Sequence, residues 1–383
     1  MSSNVPLVVD LDGTYLKTDT LHELLMLAIR RPGVFFRAFV AYTRSGKAAA
    51  KRVLAENLQL DVSLLPMNPE VAEFATTASQ DGRLVLLASG ADAQIVNAFI
   101  DGNHSFSEGI SSDGVVNLTG ARKAEALVDR FGRGGFDYVG NERADIDVWA
   151  ASRKKYLASN SGSVPRSIRS IDFEAVLSAH GRTPFRAWVK AIRPHQSAKN
   201  ILVFLPLLAA HQINSVQAWL AMLAGYLVFS MMASSVYLLN DALDLSSDRQ
   251  HTKKRRRPMA SGDILPLYAV LGSLALAVLA LGVGLLLGIP FFSVLLFYTA
   301  TTIAYSFWLK RITLVDVLVL ALLYMVRIFA GAALAGIELS FWFIAVTTFL
   351  FISLAFAKRF AEVSAATHAT AKIPGRGYQP NDG

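Results

Sequence analysis

The chain has 383 residues, of which 53% are hydrophobic and only 17% charged, with a mean hydropathy of +0.40. An ordinary soluble domain carries about 25% charged residues, so a purely soluble enzyme is excluded, and so is a disordered chain, which is polar rather than apolar. The absence of cysteine removes disulfides, cysteine-ligated zinc and thiol nucleophiles, while a formal charge of +8 fits nucleic acid, phosphate substrates or membranes until the charges are placed.

In chain order, the first 160 residues alternate short β-rich runs, Pro6–Asp10, Arg83–Ala88 and Phe136–Gly140, with helical stretches. This is the pattern of a parallel α/β sheet. The start lacks the basic segment and long apolar core of a signal peptide. The first run ends in Val8-Val-Asp10-Leu-Asp12-Gly13-Thr14, two carboxylates just beyond a buried strand, where parallel sheets bind their ligands. Two aspartates so placed can hold Mg²⁺, one attacking phosphorus and the other moving a proton; an Asp-Gly turn is the plainer alternative. The next strand ends in Ser89-Gly90, Lys123 opens a helical stretch, and Gly140-Asn141-Glu-Arg-Ala-Asp145 follows the third strand.

Together these motifs resemble the haloacid dehalogenase (HAD) superfamily of phosphotransferases. The resemblance implies a HAD-like phosphatase domain over 1–160, with a helical cap over about 16–75. It makes Asp10 the nucleophile, Asp12 the general acid/base, Ser89 and Lys123 the phosphate-holding pair, and Asp10, Asp12 and Asp145 the metal site. One departure stands out: the family often has Asp where this chain has Asn141, and a neutral ligand there weakens Mg²⁺ binding.

Residues 161–182, rich in Ser, Arg and Gly, read as a linker. An amphipathic interfacial helix is expected next, with Phe185, Trp188 and Val189 among Arg186, Lys190 and Arg193. No Asp, Glu, Lys or Arg occurs from Asn200 to Leu239, and none from Leu265 to Leu309. A spanning helix needs about 20 apolar residues, and six spans are predicted, at 198–212, 217–239, 265–287, 290–309, 313–335 and 340–357. Arg249, the Lys253–Arg257 run, Lys310-Arg311 and Lys358-Arg359 sit in alternate loops. Basic loops stay cytoplasmic, so the expectation is an integral protein of the plasma or inner membrane with its N-terminal domain in the cytoplasm, and no nucleic-acid partner.

The second span runs into Asn240-Asp241-Ala-Leu-Asp244-Leu-Ser-Ser-Asp248. Asn240, Asp244 and Asp248, four apart, share one face of a continuous helix. Carboxylates at a membrane helix end are costly unless cations neutralise them, and Mg²⁺ takes all-oxygen ligands while bridging to phosphates. Lys254, Arg255 and Arg257 follow at once, where a diphosphate needs them. Within the fifth span Asp316 and Arg327 face the same way, marking a polar cavity or an internal ion pair.

The aspartate motif with its basic run resembles the UbiA superfamily of intramembrane prenyltransferases. Arg193–Asn200, Tyr305–Lys310 and Ala357–Glu362 make it most similar to the decaprenyl-phosphate phosphoribosyltransferase branch. The resemblance implies an all-helical transmembrane domain over 183–363, followed by a polar tail at 364–383. It assigns Mg²⁺ to Asn240, Asp244 and Asp248, the last two as catalytic residues, and phosphate contacts to Lys199, Lys254, Arg255, Arg257, Tyr305, Lys310, Arg327 and Lys358. The partners it implies are membrane lipids, a polyprenyl phosphate or prenyl diphosphate, and a small phosphorylated co-substrate. The expected activity is phosphoribosyl transfer from phosphoribosyl diphosphate to a polyprenyl phosphate, with the fused phosphatase removing the product's 5-phosphate. An aromatic prenyltransferase of the 4-hydroxybenzoate type and a degenerate membrane-tethered binding protein are the alternatives. Six spans, where the superfamily usually has eight or nine, read as a C-terminally truncated bundle.

Overall fold

The computed structural model describes residues 5–159, 162–178, 184–211 and 214–367. Its contacts divide the chain into two units, Met1–Lys190 with Asp241–Ala269, and Ala191–Asn240 with Val270–Gly383.

The first unit is built on a six-stranded, wholly parallel sheet in the order β3-β2-β1-β4-β5-β6. The strands are β1 (Leu7–Val9), β2 (Val85–Asp92), β3 (Glu108–Ser112), β4 (Asp137–Gly140), β5 (Lys155–Ser159) and β6 (Ala175–Ser178). Its central strands are apolar on both sides because each face carries its own core. Leu7, Val9, Leu87 and Val139 join one; Val8, Leu86, Tyr138 and Trp149 join the other. Near-continuous apolar strands follow from helices covering both faces.

Between β1 and β2 the chain makes α1 (Thr20–Ile29), α2 (Pro32–Asn57) and α3 (Pro69–Gln80). Proline at the first turn starts both α2 and α3, where its missing N–H costs nothing. Gly46, at φ +86°, breaks α2 into two arms. An antiparallel bridge between Leu16 and Met67 closes this insertion. The expected cap at 16–75 is therefore shorter: α3 buries Val71 and Ala75 in the sheet's core and belongs to the sheet layer. The remaining helices are α4 (Ala93–Asp101), α5 (Ala121–Phe131) and α6 (Ile146–Ala151).

The stretch 161–182, expected to be a linker, departs more. It contributes β6 and buries Ile168 against Trp149 and Leu157. Four strand residues extending an existing edge need little intrinsic propensity, because the partner strand supplies the hydrogen bonds. Residues 160–161 and 179–183 of that stretch lie outside the described residues. The same unit also contains α7 (Pro184–Ile192) up to Lys190, and α10 (Leu245–Gln250) in the segment Asp241–Ala269.

In the second unit the helices are α9 (Val216–Leu243, up to Asn240), α11 (Pro266–Leu286, from Val270), α12 (Ile289–Phe307), α13 (Val315–Ala335) and α14 (Phe341–Thr367). Their shared core holds Phe229, Phe291, Leu295, Tyr298, Leu323 and Val326. Five helices of the described chain are long and apolar enough to span a bilayer, and the protein is an integral membrane protein. The first expected span, 198–212, does not form among the described residues. Residues Pro194–Phe204 wind as a tight three-residue-per-turn helix, and only α8 (Leu205–Ala209) follows. Pro206, which lacks an N–H, sits inside the stretch. This run packs so closely on α13 that a Cβ on Gly331 would lie 1.9 Å from the Val203 carbonyl oxygen. The expected tail at 364–383 lies outside the described residues from 368 onward.

Candidate functional site

The carboxyl ends of β1, β2 and β4 converge on Asp10. Its backbone N–H donates to the Val139 carbonyl at 3.0 Å, which ties the residue to β4. The side chain is 6% exposed. Oδ1 accepts Lys123 Nζ at 2.7 Å, and Oδ2 accepts the Thr14 hydroxyl at 3.0 Å. Burial, outweighing the Lys123 charge, pushes Asp10 up to about 6. Burial alone would lower Lys123, yet the carboxylates of Asp10 and Asp145 hold it above the ordinary lysine range. A cationic amine therefore sits against the Asp10 carboxylate.

Gly13 makes the turn that brings Asp12 beside this pair. Its φ is +73°, and a Cβ there would lie 2.3 Å from Asn141 Nδ2, so only glycine fits. Asp12 accepts the Thr20 N–H at 2.8 Å and the Thr20 hydroxyl at 3.1 Å. Burial first, then the Asp19 charge, pushes Asp12 up to about 8. It is thus protonated at neutral pH, the state a general acid requires. Ser89 is fully buried at the end of β2, its hydroxyl accepting the Ala91 N–H at 3.0 Å.

Asp145 does not present the metal-facing carboxylate expected of it. Oδ1 accepts the Tyr138 hydroxyl at 2.7 Å, with Lys123 Nζ at 3.5 Å. Oδ2 accepts the N–H groups of Asn141 and Glu142 at 3.0 and 3.2 Å. The oxygen left without a hydrogen-bond partner is Asn141 Oδ1, which is buried. With the Asp10 carboxylate it provides the hard oxygen donors that a divalent cation takes, so the residues present fit Mg²⁺ here in chemistry. Tyr138 and Thr20 were not singled out from sequence. Tyr138 belongs to the Phe136–Gly140 strand, and its place on the strand face behind Asp10 was the available signal.

One further cation enters from the cap. Lys51 is 7% exposed; its Nζ donates to the Gly90 carbonyl and, at 2.9 Å, to Asn117 Oδ1. Burial lowers it. Only the folded insertion brings α2 to the Ser89-Gly90 loop, so no local pattern marks this lysine.

The Asp-rich segment differs from its expected geometry. The helix ends at Leu243, Asp244 takes a turn conformation, and α10 begins at Leu245, so the 240–244–248 face is broken. Arg257 bridges Asp241 and Asp248, with Nη1 at 2.9 and 2.6 Å from their carboxylates. Burial is the largest influence on Asp248 and raises it, while Arg257 pulls it back. Asp241 was missed, although it lies next to Asn240. Asp244 is half exposed and pairs at 2.8 Å with Arg30. Arg249 forms a two-pronged pair with Glu23 at 3.0 and 2.6 Å, nearly inaccessible to solvent. Lys254 and Arg255 lie exposed on the following turn. Among the described residues no three acidic or histidine side chains gather to hold a metal. In this segment the carboxylates are neutralised by arginines, and no metal-dependent step is derived from it.

In the second unit, Asp316 and Arg327 do not pair. Asp316 accepts the Tyr305 hydroxyl at 2.6 Å and pairs with Arg359 at 2.6 Å. Arg327 is 6% exposed; its Nε donates to Asn200 Oδ1 at 2.8 Å, and its guanidinium lies over the rings of Tyr298 and Tyr324. A continuous α13 with both residues on one side left either partner open, and α14 supplied the arginine. Lys199 donates to Gln196 at 2.8 Å, and it is lowered by burial and then by the charges of Lys358 and Arg327. Asn240 donates to Ser306 at 3.1 Å, and Lys310 is half-buried in the turn after α12.

Comparison with known proteins gives the following. Residues 201–368 match the model of the UbiA prenyltransferase family. The chain is 34% identical to the uncharacterized protein y4nM of Sinorhizobium fredii, over 99% of this chain and 73% of that protein. It is 37% identical to the decaprenyl-phosphate phosphoribosyltransferase of Corynebacterium glutamicum, over 48% of this chain and 57% of that protein. It thus spans little more than half the length of that relative. Two solved structures are similar in part. A UbiA homologue from Archaeoglobus fulgidus bound to DMAPP and Mg²⁺ has a TM-score of 0.38 and 22% identity, covering 44% of this chain and 61% of that one. A dehalogenase has a TM-score of 0.31 and 15% identity, covering 46% of this chain and 93% of that one. By the match over 201–368 and by relatives aligned to the same region, the C-terminal half of the chain belongs to the UbiA prenyltransferase family.

Proposed function

We propose that this membrane transferase moves phosphoribose from phosphoribosyl diphosphate to a polyprenyl phosphate, and that its α/β domain then removes the 5-phosphate. The observation that carries the first part is the 37% identity to a decaprenyl-phosphate phosphoribosyltransferase over half of the chain. The buried Arg327 and the partly buried Lys199 in the second unit agree with it, since a departing diphosphate develops charge that fixed cations stabilise. In the transfer, the bond from the anomeric carbon to the diphosphate breaks and a lipid phosphate oxygen takes its place. Mg²⁺ is the proposed cofactor, with Asp10 and Asn141 as the residues whose oxygens would hold it in the phosphatase; the arginine-paired carboxylates Asp244 and Asp248 are given no metal in the transferase. When bound, it supplies charge neutralisation for the phosphates.

The phosphatase step rests on the buried Asp10–Lys123 contact. An Asp10 oxygen attacks phosphorus while Lys123 and Ser89 hold the phosphoryl oxygens. Asp12 gives its proton to the departing sugar oxygen and then, as carboxylate, accepts one from the water that cleaves the aspartyl-phosphate. An α/β domain that runs on through β6 and lies on the cytoplasmic side of the plasma or inner membrane belongs to the same proposal. To test it, membranes containing the chain are given polyprenyl phosphate with phosphoribosyl diphosphate labelled in the ribose. Label should pass into the lipid phase. Label remaining in water, with a prenyl diphosphate consumed by an aromatic acceptor instead, overturns the donor assignment.

A further inference from the structure

The first arm of α2 is out of place on a soluble surface. Phe35, Phe36, Phe39 and Tyr42 are 45%, 66%, 56% and 56% exposed. No other aromatic residue within the described part of 5–178 is among the exposed large apolar side chains; Ile29 ends α1, and Met67, Leu84, Val115 and Val116 lie in loops. At 100° per residue Phe35, Phe39 and Tyr42 fall within about 60° of one another, with Phe36 beside them. The adjoining side of the arm is small and buried, Val34 and Ala38 packing on α1. A groove of about 340 Å³, lined by Leu21, Leu25, Phe35, Phe39, Tyr42 and Leu54 among others, lies against this arm.

The charge around these rings is of one sign. Arg31 at the start of the arm, Arg37 and Arg44 along it and Lys47 just past Gly46 are exposed, and no Asp or Glu occurs between residues 30 and 55. An aromatic face with basic side chains on the helix's other side is the composition of a helix lying in the headgroup region of an anionic bilayer. Because the same chain carries five membrane-crossing helices, a bilayer is always within its reach. We propose that the exposed arm of α2 is a membrane-docking surface that seats the cap on anionic phospholipid, burying its four aromatic rings at the headgroup level.

The chain has no cysteine, so Thr43→Cys, exposed on the aromatic side and sparing all four rings, gives a unique labelling site. The full chain carrying an environment-sensitive fluorophore there is placed in nanodiscs containing nitroxide-labelled lipid. Discs of phosphatidylcholine are compared with discs containing phosphatidylglycerol. Glu125→Cys, exposed on α5, is the reference position. The label at 43 should be quenched well above the one at 125, and more so in anionic discs. Arg37→Gln with Arg44→Gln should lower the docked-to-undocked ratio by about fivefold per charge lost. Phe36→Ser with Phe39→Ser should abolish the difference between positions 43 and 125. Equal quenching at 43 and 125 in both lipids overturns the proposal. So does quenching that ignores lipid charge and both arginines, or energy transfer between copies showing that a second chain covers the face.

Discussion

Raising the pH from about 7 to about 9 should remove the proton from Asp12, and the phosphatase step should lose its acid. With the carboxyl pushed up to about 8 by burial and by Asp19, about nine-tenths of the molecules carry that proton at pH 7 and about one-tenth at pH 9. Hydrolysis of ribose 5-phosphate, whose alkoxide is a poor leaving group, should therefore fall about tenfold across this interval. An aryl phosphate, which leaves without a proton, should show no such limb. Asp12→Asn should lower turnover of ribose 5-phosphate by about 10²–10⁴-fold and remove the alkaline limb. The same substitution has a stability signature of definite sign. The folded state holds a proton that the unfolded chain releases between about pH 4 and pH 8, so stability declines as pH rises through that window. Asp12→Asn should remove the part of this decline that Asp12 contributes, leaving that of Asp10 below about pH 6, and raise the thermal midpoint at pH 8, with the difference vanishing below pH 4. A flat profile for ribose 5-phosphate between pH 7 and 9, or an unchanged limb in Asp12→Asn, refutes the reasoning.

Other contacts make separate predictions. Glu23→Gln strands the buried Arg249 guanidinium and should destabilise the first unit by about 3–5 kcal/mol, read as a lower thermal midpoint; Glu23→Gln with Arg249→Met should recover most of it, and failure to do so contradicts the pairing. Lys123→Met, which removes the cation 2.7 Å from Asp10, should reduce phosphatase kcat by about 10²–10³-fold while leaving lipid-linked transfer measurable. Asn200→Ala, which takes the acceptor from Arg327 Nε, should destabilise the second unit by about 1–3 kcal/mol, detectable by thermal unfolding in detergent; an unshifted midpoint argues against the contact.

What could be read in advance followed from patterns that are local. Val8 to Thr14 carries strand, turn and carboxylates within seven residues, so sequence alone placed Asp10 at a strand end. The uncharged stretches gave five membrane helices because length and composition decide them. The failures involve partners far apart or short segments. Pro194 and Pro206 reshape 198–212, where hydropathy sees only apolar residues. The break at Asp244, Arg257 bridging Asp241 to Asp248, and Arg30 reaching Asp244 depend on the folded segment. Asp316 chose Arg359, 43 residues onward, over Arg327 on its own helix. Nor could the spacing of Asn141 and Asp145 tell which oxygen would be left unpaired; the answer came from Tyr138 and two backbone amides claiming Asp145.

The most direct test of the two-step account is the mass of the lipid product. Membranes containing the chain are supplied with polyprenyl phosphate, phosphoribosyl diphosphate and Mg²⁺, and the lipid extract is analysed by mass spectrometry. The account predicts a polyprenyl phosphoribose without a 5-phosphate from the unaltered chain, and the 5-phosphorylated form from Asp10→Asn. No ribosylated lipid from a folded chain, or the same product from both, would contradict it.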